Sequence, residues 1–400
     1  MNNAWLCDAV RTPFGRLNGG LATIRADELA ALPIRALVER HSQIDWRALD
    51  DVLYGCANQA GEDNRNVGRM ALLLAGLPAS VPGCTVNRLC GSSLDAVAMA
   101  ARSIHTGENH LLMAGGVEHM TRSPFVMSKA DKAFSRQMQL EDTTMGWRLI
   151  NPRMKALYGV ESMPQTAENL AAKFDISRED MDALALRSQQ RTADAQNKGF
   201  YRDQLMAVEI AHQNAPSSWF SEDEHPRPVT LSMLEKLKPV TFPQGTVTAG
   251  NASGLNDGAC ALLLASDAGL QRHQLTPLAR IIASAITGIE PTIMGLGPVA
   301  AIRKVLAFTG LTLEQMDVIE LNEAFAAQIL AVTRELGLAD DEARVNPNGG
   351  AIALGHPLGA SGGRLVMNAA WALQQSNGRY GLCAMCIGVG QGIAMIIERS

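Results

Sequence analysis

Aromatic residues are scarce in this 400-residue chain, at 4%. That leaves little with which to stack nucleic-acid bases, and it argues against an all-β sandwich rich in Tyr and Trp. The net charge of −5 is spread without any block of like charges, so neither a basic stripe nor an acidic tail is present. No nucleic-acid partner is expected. No uninterrupted apolar run reaches the roughly 18 residues of a membrane span, so no membrane partner is expected either. The stretch 1–10 is too short and too polar for the apolar core of a secretory signal, and Arg11 follows at once. The expectation is a cytoplasmic protein with reduced thiols, and an odd count of seven Cys agrees with it. One C-x-x-C occurs, Cys383 to Cys386, without a second pair or a His pair at ligand spacing, so no metal is expected.

What the chain does hold is apolar mass. Hydrophobic residues make up 47% and charged ones 19%, enough for a large core in two or three structural units. Strands are expected at 4–10, 51–55, 83–87, 110–116, 258–265, 318–321, 382–387 and 393–397. Helices are expected at 26–41, with Asp27 as cap, and at 66–75, 94–104, 165–174, 177–199 and 361–373. Between 119 and 247 the texture turns polar and Met-rich, which marks an inserted subdomain rather than a linker. Val86-Asn87 and Val345-Asn346 each lead through a glycine-containing turn into a small-residue helix and then a buried strand. That matching order suggests an internally duplicated α/β unit.

Five segments are candidates for chemistry. Cys90, in Arg88-Leu-Cys-Gly-Ser-Ser93, lies between a strand and a helix. A helix N-terminus favours the thiolate, so Cys90 is either a nucleophile with a lowered pKa or a packed thiol. His356 stands between Gly355 and Pro357 in a glycine-dense loop that runs from Gly349 to Gly363, placed to act as a base towards a thiol. Cys386 closes a strand ahead of Gly388-Val-Gly-Gln-Gly392, where backbone N–H groups can face an oxyanion. Asn322 and Glu323 follow the strand 318–321, the end at which α/β folds bind ligands, and Asn322 is an equally good helix cap. The loop from Thr248 to Gly258 suits close backbone contact with a ligand.

Together these segments resemble the thiolase family, over essentially the whole chain and in the family's order. The motifs that carry the likeness are Asn87-Arg-Leu-Cys-Gly-Ser92, Asn322-Glu-Ala-Phe325, the loop around His356, and Cys386-Ile-Gly388. The resemblance implies a duplicated five-layer αβαβα fold with an inserted loop domain. Its N-terminal half would comprise 1–118 and 248–270, its loop domain 119–247 and its C-terminal half 271–400. It implies Cys90 as acylated nucleophile, His356 as its base and Cys386 as second acid/base. Asn322 would hold an oxyanion-hole water completed by His356, and the N–H groups of Cys90 and Gly388 would form the other hole. Ala249, Gly250 and Ser253 would line the pantetheine arm, and Met163, Met294, Ala324 and Phe325 the acyl and pantetheine tunnel, where plain core packing is the other reading of the Met and Phe. Coenzyme A would be a co-substrate, with no permanently bound cofactor, and the assembly a homotetramer built from dimers.

Segments 55–66, 133–136, 144–148 and 386–392 resemble the branch of the family that cleaves a dicarboxylic substrate, 3-oxoadipyl-CoA, to succinyl-CoA and acetyl-CoA. Arg65, Arg136 and Arg148 in those segments are candidates for the distal carboxylate. The alternatives are a general 3-ketoacyl-CoA or acetoacetyl-CoA thiolase, a decarboxylating condensing enzyme, which Cys386 argues against, and a non-catalytic lipid carrier on the same fold. Two positions depart from the family: Ser93 where Gly is usual, and His119 where Ser is frequent. His119 is expected to be a solvated boundary residue.

Overall fold

The computed structural model describes residues 2–212 and 215–400. Nine strands build its centre: β1 Ala4–Arg11, β2 Asp51–Gly55, β3 Gly83–Val86, β4 Leu111–His119, β5 Asn256–Ala265, β6 Ala279–Gly288, β7 Met316–Leu321, β8 Tyr380–Ile387 and β9 Gln391–Arg399. They run in the order β7-β8-β9-β6-β1-β5-β4-β2-β3, with the short strand Gly15–Arg16 added beside β5. The ladder repeats itself about the antiparallel β1/β6 contact. β3 is parallel to β2, β2 parallel to β4, and β4, β5 and β1 are antiparallel in turn. In the second half β7 is parallel to β8, and β8, β9 and β6 are antiparallel in turn. Val345 makes a parallel bridge to Ile319, the place that β3 occupies beside β2. The duplication expected from the chain is therefore present in the strand pairing.

Besides the short helices Pro152–Tyr158, Leu231–Glu235 and Asp267–His273, the chain forms α1 Ala26–Arg40, α2 Val67–Leu74, α3 Ser92–Thr106, α4 Met163–Lys173, α5 Arg178–Asn197, α6 Gly297–Thr309, α7 Ala326–Glu335, the single turn α8 Ala351–Leu354, and α9 Leu358–Ser376. Side-chain alternation along the strands sorts them into layers. In β5, Cys260, Leu262 and Leu264 face the cluster built on α3 and α9. The intervening Ala259, Ala261 and Leu263 face α1 and α2. In β8, Cys383, Met385 and Ile387 face the same central helices, whereas Leu382, Ala384 and Cys386 face α6 and α7. Strands covered on both faces lose their polar alternation, which is why β1 alternates poorly in the sequence. The result is α1/α2, sheet, α3/α9, sheet, α6/α7: the five-layer αβαβα arrangement.

Helix starts follow local chemistry. Asn66 caps α2, and Ser177 with Asp180 forms a reciprocal capping box on α5. Asp27 lies inside the first turn of α1, after Arg25, and is not its cap. The stretch Pro291–Thr309 has the length and composition to cross a membrane, but a non-helical Ile293 divides it and half of it is buried. Between β4 and β5 the chain leaves the main ladder. It forms two small strand pairs, Phe125–Met127 with Leu140–Asp142 and Val208–His212 with Ala215–Phe220. It also forms α4 and α5, which pack on α7. The polar loop 221–228 is pinned by Asp223, which receives Arg11 in a buried bidentate pair at 2.6 and 2.7 Å.

Candidate active site

The turn that carries Cys90 is strained and braced. Leu89 has a left-handed φ of 46°, costly for a residue with a branched side chain. Ser92 Oγ accepts from the Arg88 N–H at 2.9 Å and donates to Leu89 O at 2.6 Å, which closes the turn. Arg88 in turn is held by Asp95 at 2.7 Å and by Gln391 at 3.0 Å. A β-carbon at Gly91 would come within 2.7 Å of the Ile387 side-chain end, so the turn between Cys90 and α3 packs closely on β8. Cys90 is half-buried. Its pKa is pushed up to about 11 by burial, against the pull of the N–H groups of Gly388 and of Cys90 itself on the sulfur. The lowered pKa expected from the helix start is thus overturned: desolvation of the thiolate outweighs two backbone donors.

The loop that carries His356 is equally determined. Gly355 has φ 104°, and a β-carbon there would collide with the Asn256 amide. Asn256 Oδ1 accepts from the His356 N–H at 2.9 Å. The imidazole is buried, with Nδ1 2.6 Å from Ser361 Oγ. Because the Ser361 hydroxyl donates to Pro357 O at 2.9 Å, it accepts from Nδ1–H. That assigns the tautomer and leaves the lone pair on Nε2. Burial, reinforced by the Arg364 cation, pulls the His356 pKa down to about 3, so the ring is neutral.

Asn322 Nδ2 approaches that lone pair at 3.3 Å. Asn322 is not a helix cap, because α7 starts four residues later with Phe325 before it. Glu323 instead braces the loop: it accepts from Ser188 at 2.6 Å, Asn346 at 2.9 Å and the Ile352 N–H at 3.1 Å. Cys386 is buried, and its thiol is pushed up by burial and by the neighbouring Cys90 sulfur. After it, Val389 and Gly390 take positive φ and turn β8 into β9, which holds the Gly388 N–H against Cys90. The central helices cross near their starts: a β-carbon at Gly362 would collide with Leu94. That crossing lays the turns ahead of α3 and α9 side by side.

The proposed tunnel residues divide. Ser253 joins the Asn322 segment, its N–H and hydroxyl donating to Ala324 O at 3.0 and 3.1 Å. Met163 borders Gly388, with Sδ 3.7 Å from where a β-carbon would stand. Met294, Ala324 and Phe325 are buried in the core shared with α7. Gly250 is buried against Leu234 and Leu237, whereas Ala249 is exposed.

The sequence model "Thiolase, N-terminal domain" matches residues 5–268, and "Thiolase, C-terminal domain" matches 275–399. The chain belongs to the thiolase family. A beta-ketoadipyl-CoA thiolase of Acinetobacter baylyi is 64% identical over 400 residues, covering all of both chains. The 3-oxoadipyl-CoA/3-oxo-5,6-dehydrosuberyl-CoA thiolase of Escherichia coli is 58% identical over the same full length. Among solved structures, human mitochondrial 3-ketoacyl-CoA thiolase in complex with CoA superposes with TM-score 0.90 at 38% identity, over 100% of this chain and 98% of that one.

In this thiolase both departures from the family pattern are buried. Ser93 Oγ accepts from the Gly363 N–H at 2.9 Å, so the extra hydroxymethyl ties α3 to α9. His119 is not solvated: Nε2 lies 3.2 Å from Leu21 O and Nδ1 3.3 Å from Asp257. A ring at the end of β4 is roofed by the chain around Leu21, a distant contact that local sequence does not register. Three more thiolase residues escaped the sequence reasoning. Ser361 sets the tautomer. Asn256 anchors the loop. Glu118 accepts from the N–H groups of Ala57 and Asn58, both at 3.0 Å, and of Gly359 at 2.9 Å, which binds the start of α9 to the first half. The available signal for Ser361 was a hydroxyl five residues past His356, within its first following helical turn.

Proposed function

We propose that this thiolase cleaves 3-oxoadipyl-CoA with CoA to succinyl-CoA and acetyl-CoA, in the degradation of aromatic compounds. The observation that carries the substrate is full-length identity of 58–64% to relatives named for it. A 3-ketoacyl-CoA thiolase of Pseudoalteromonas translucida stands at 44%. The site roles are those the chemistry requires. His356 Nε2 takes the Cys90 thiol proton, and the thiolate attacks the 3-keto carbon. The alkoxide collapses, the C2–C3 bond breaks, and Cys386 gives its proton to the acetyl-CoA enolate. The Cys386 thiolate then takes the proton of CoA, whose sulfur attacks the succinyl-Cys90 thioester. Cys90 leaves and regains its proton from His356.

Two half reactions each develop an oxyanion, and each needs donors. The Gly388 and Cys90 N–H groups serve one, and the Asn322 and His356 side the other, where losing a donor costs about 3 kcal/mol. We assign the distal carboxylate to Arg148. It is half-buried, whereas Arg65 and Arg136 are exposed. Its neighbour Trp147 donates to Glu161 O at 3.2 Å, two residues before Met163 beside Gly388. Ala249, Gly250, Ser253, Met294, Ala324 and Phe325 belong to the CoA and acyl path in this reading.

We further propose a cytoplasmic homotetramer. All seven cysteines are free thiols, as a reducing compartment keeps them. Phe125, Met127, Phe134, Met138 and Leu140 are exposed apolar side chains clustered on the inserted segment, the kind of surface an oligomer covers. The deciding experiment is mass spectrometry after mixing with 3-oxoadipyl-CoA alone. A succinyl adduct on Cys90 is expected. No adduct with any 3-oxoacyl-CoA sinks the thiolase roles, and equal rates with straight-chain substrates sink the dicarboxylate preference.

A further inference from the structure

Helix α9 carries a fully buried cation that the reaction as written does not use. Arg364 has no exposed surface, and neither does Glu320, whose Oε2 lies 3.6 Å from Arg364 Nη1. Arg364 Nη2 lies 3.5 Å from Asn322 Oδ1. Glu320 and Asn322 are two residues apart at the end of β7, so they share the face that meets α9.

A guanidinium only donates. Set against Oδ1, it decides which way round the Asn322 amide lies. The opposite orientation puts the amide –NH2 against the cation and the carbonyl oxygen against the lone pair of His356 Nε2. Both contacts are repulsive, and at buried groups they are weakly screened. The lone pair is itself fixed by the Nδ1–H to Ser361. Two independent contacts, one at each end of the amide, therefore specify one orientation.

We propose that Arg364 is a positioning residue: acting through Asn322 from the core side, it keeps the amide nitrogen turned towards His356 Nε2 and the oxyanion site there, so that this donor is oriented before substrate arrives. Glu320 is the acid beside the cation, its carboxyl pushed up to about 8 by burial against the pull of Arg364. The proposal rests on thiolase chemistry at this site and not on which acyl group is carried.

The test is a double-mutant cycle on the full-length protein, read as kcat and KM for thiolysis of acetoacetyl-CoA and of 3-oxoadipyl-CoA. One arm combines Arg364→Met with Glu320→Gln, which replaces the cation and its acidic neighbour by groups that cannot ionise, so no unpaired buried ion is left. The other is Arg364→Lys, which keeps the charge but lacks the fork that reaches both partners. Each is made in the wild type and in Asn322→Ala. The neutral pair is expected to lower kcat about tenfold with KM within about threefold, and the Lys variant to lower kcat about threefold. In the Asn322→Ala background each loss shrinks to less than about twofold, because the amide to be oriented is gone. The same fractional loss in both backgrounds overturns the proposal, as does wild-type kcat in both arms. If the neutral pair does not fold, the Lys arm decides alone by the same comparison. A wild-type protein that cleaves neither substrate overturns the thiolase reaction instead.

Discussion

Ser361 Oγ, in the first turn of α9, and His356 Nδ1, just ahead of that helix, stand 2.6 Å apart, and the hydroxyl donates its proton to Pro357 O. The pair makes the imidazole a base at one nitrogen only. Ser361→Ala frees the ring to take the other tautomer. It is expected to lower kcat about tenfold while KM changes little, as loss of an orienting partner does. Steady-state kinetics check this, and an unchanged kcat refutes it.

Cys90 and His356 are shifted in opposite directions, to about 11 and about 3, chiefly by burial. The resting pair is therefore neutral thiol and neutral imidazole. The imidazole is lost as a base only as pH falls towards 3. No acid limb is expected near pH 6.5 in kcat/KM, and a limb there contradicts the buried neutral ring. The linkage has a defined sign. His356 is depressed in the folded chain, so its contribution to stability is present above about pH 6.5 and is lost as pH falls towards 3. Denaturant titration at several pH values measures it.

Cys386 is asked to shuttle a proton and not to carry the acyl group. Cys386→Ala is expected to bind substrate normally, with KM within about threefold, and to lower kcat by two or more orders of magnitude. Cys90→Ala removes the adduct altogether. A succinyl adduct on Cys386 in that variant is the outcome that reverses the two roles.

Ser93 joins the two central helices through one buried hydrogen bond to Gly363. Ser93→Ala removes that link between the helices and is expected to cost about 1 kcal/mol, read as a lower midpoint in thermal or denaturant unfolding. Substrate preference is expected to stay unchanged, since the hydroxyl points between helices.

Arg148 is expected to act on selectivity alone. Arg148→Ala lowers the ratio of kcat/KM for 3-oxoadipyl-CoA over acetoacetyl-CoA about tenfold or more, the cost of a carboxylate left without its partner. Arg136→Ala, on an exposed side chain, leaves that ratio as it was.

Reading along the chain gave much that depends on near neighbours, although Asp27 lies inside α1 and does not cap it. Many strands and helices were placed by apolar period and caps, as with Ser177 at the start of α5, while the strand Ala279–Gly288 was not singled out. The repeat of Val86-Asn87 at Val345-Asn346 was visible because duplication preserves the order of local features. Cys90, His356 and Cys386 stood out because each adjoins glycines that packing alone does not demand, and Asn322 because it follows the end of an apolar strand. What depends on desolvation was not visible. The thiol of Cys90 was expected below its ordinary pKa and lies above it, because a helix start can be read from sequence and the depth of burial around it cannot. His119 was placed at a wet boundary and lies under Leu21, 98 positions away in the chain. The tautomer of His356 and the orientation of the Asn322 amide were likewise out of reach. The tautomer needs the bond directions of a turn that residue types alone do not give, and the amide lies between groups from separate elements, His356 and Arg364 around α9 and Asn322 after β7, whose meeting exists only once the two sheets close on the central helices.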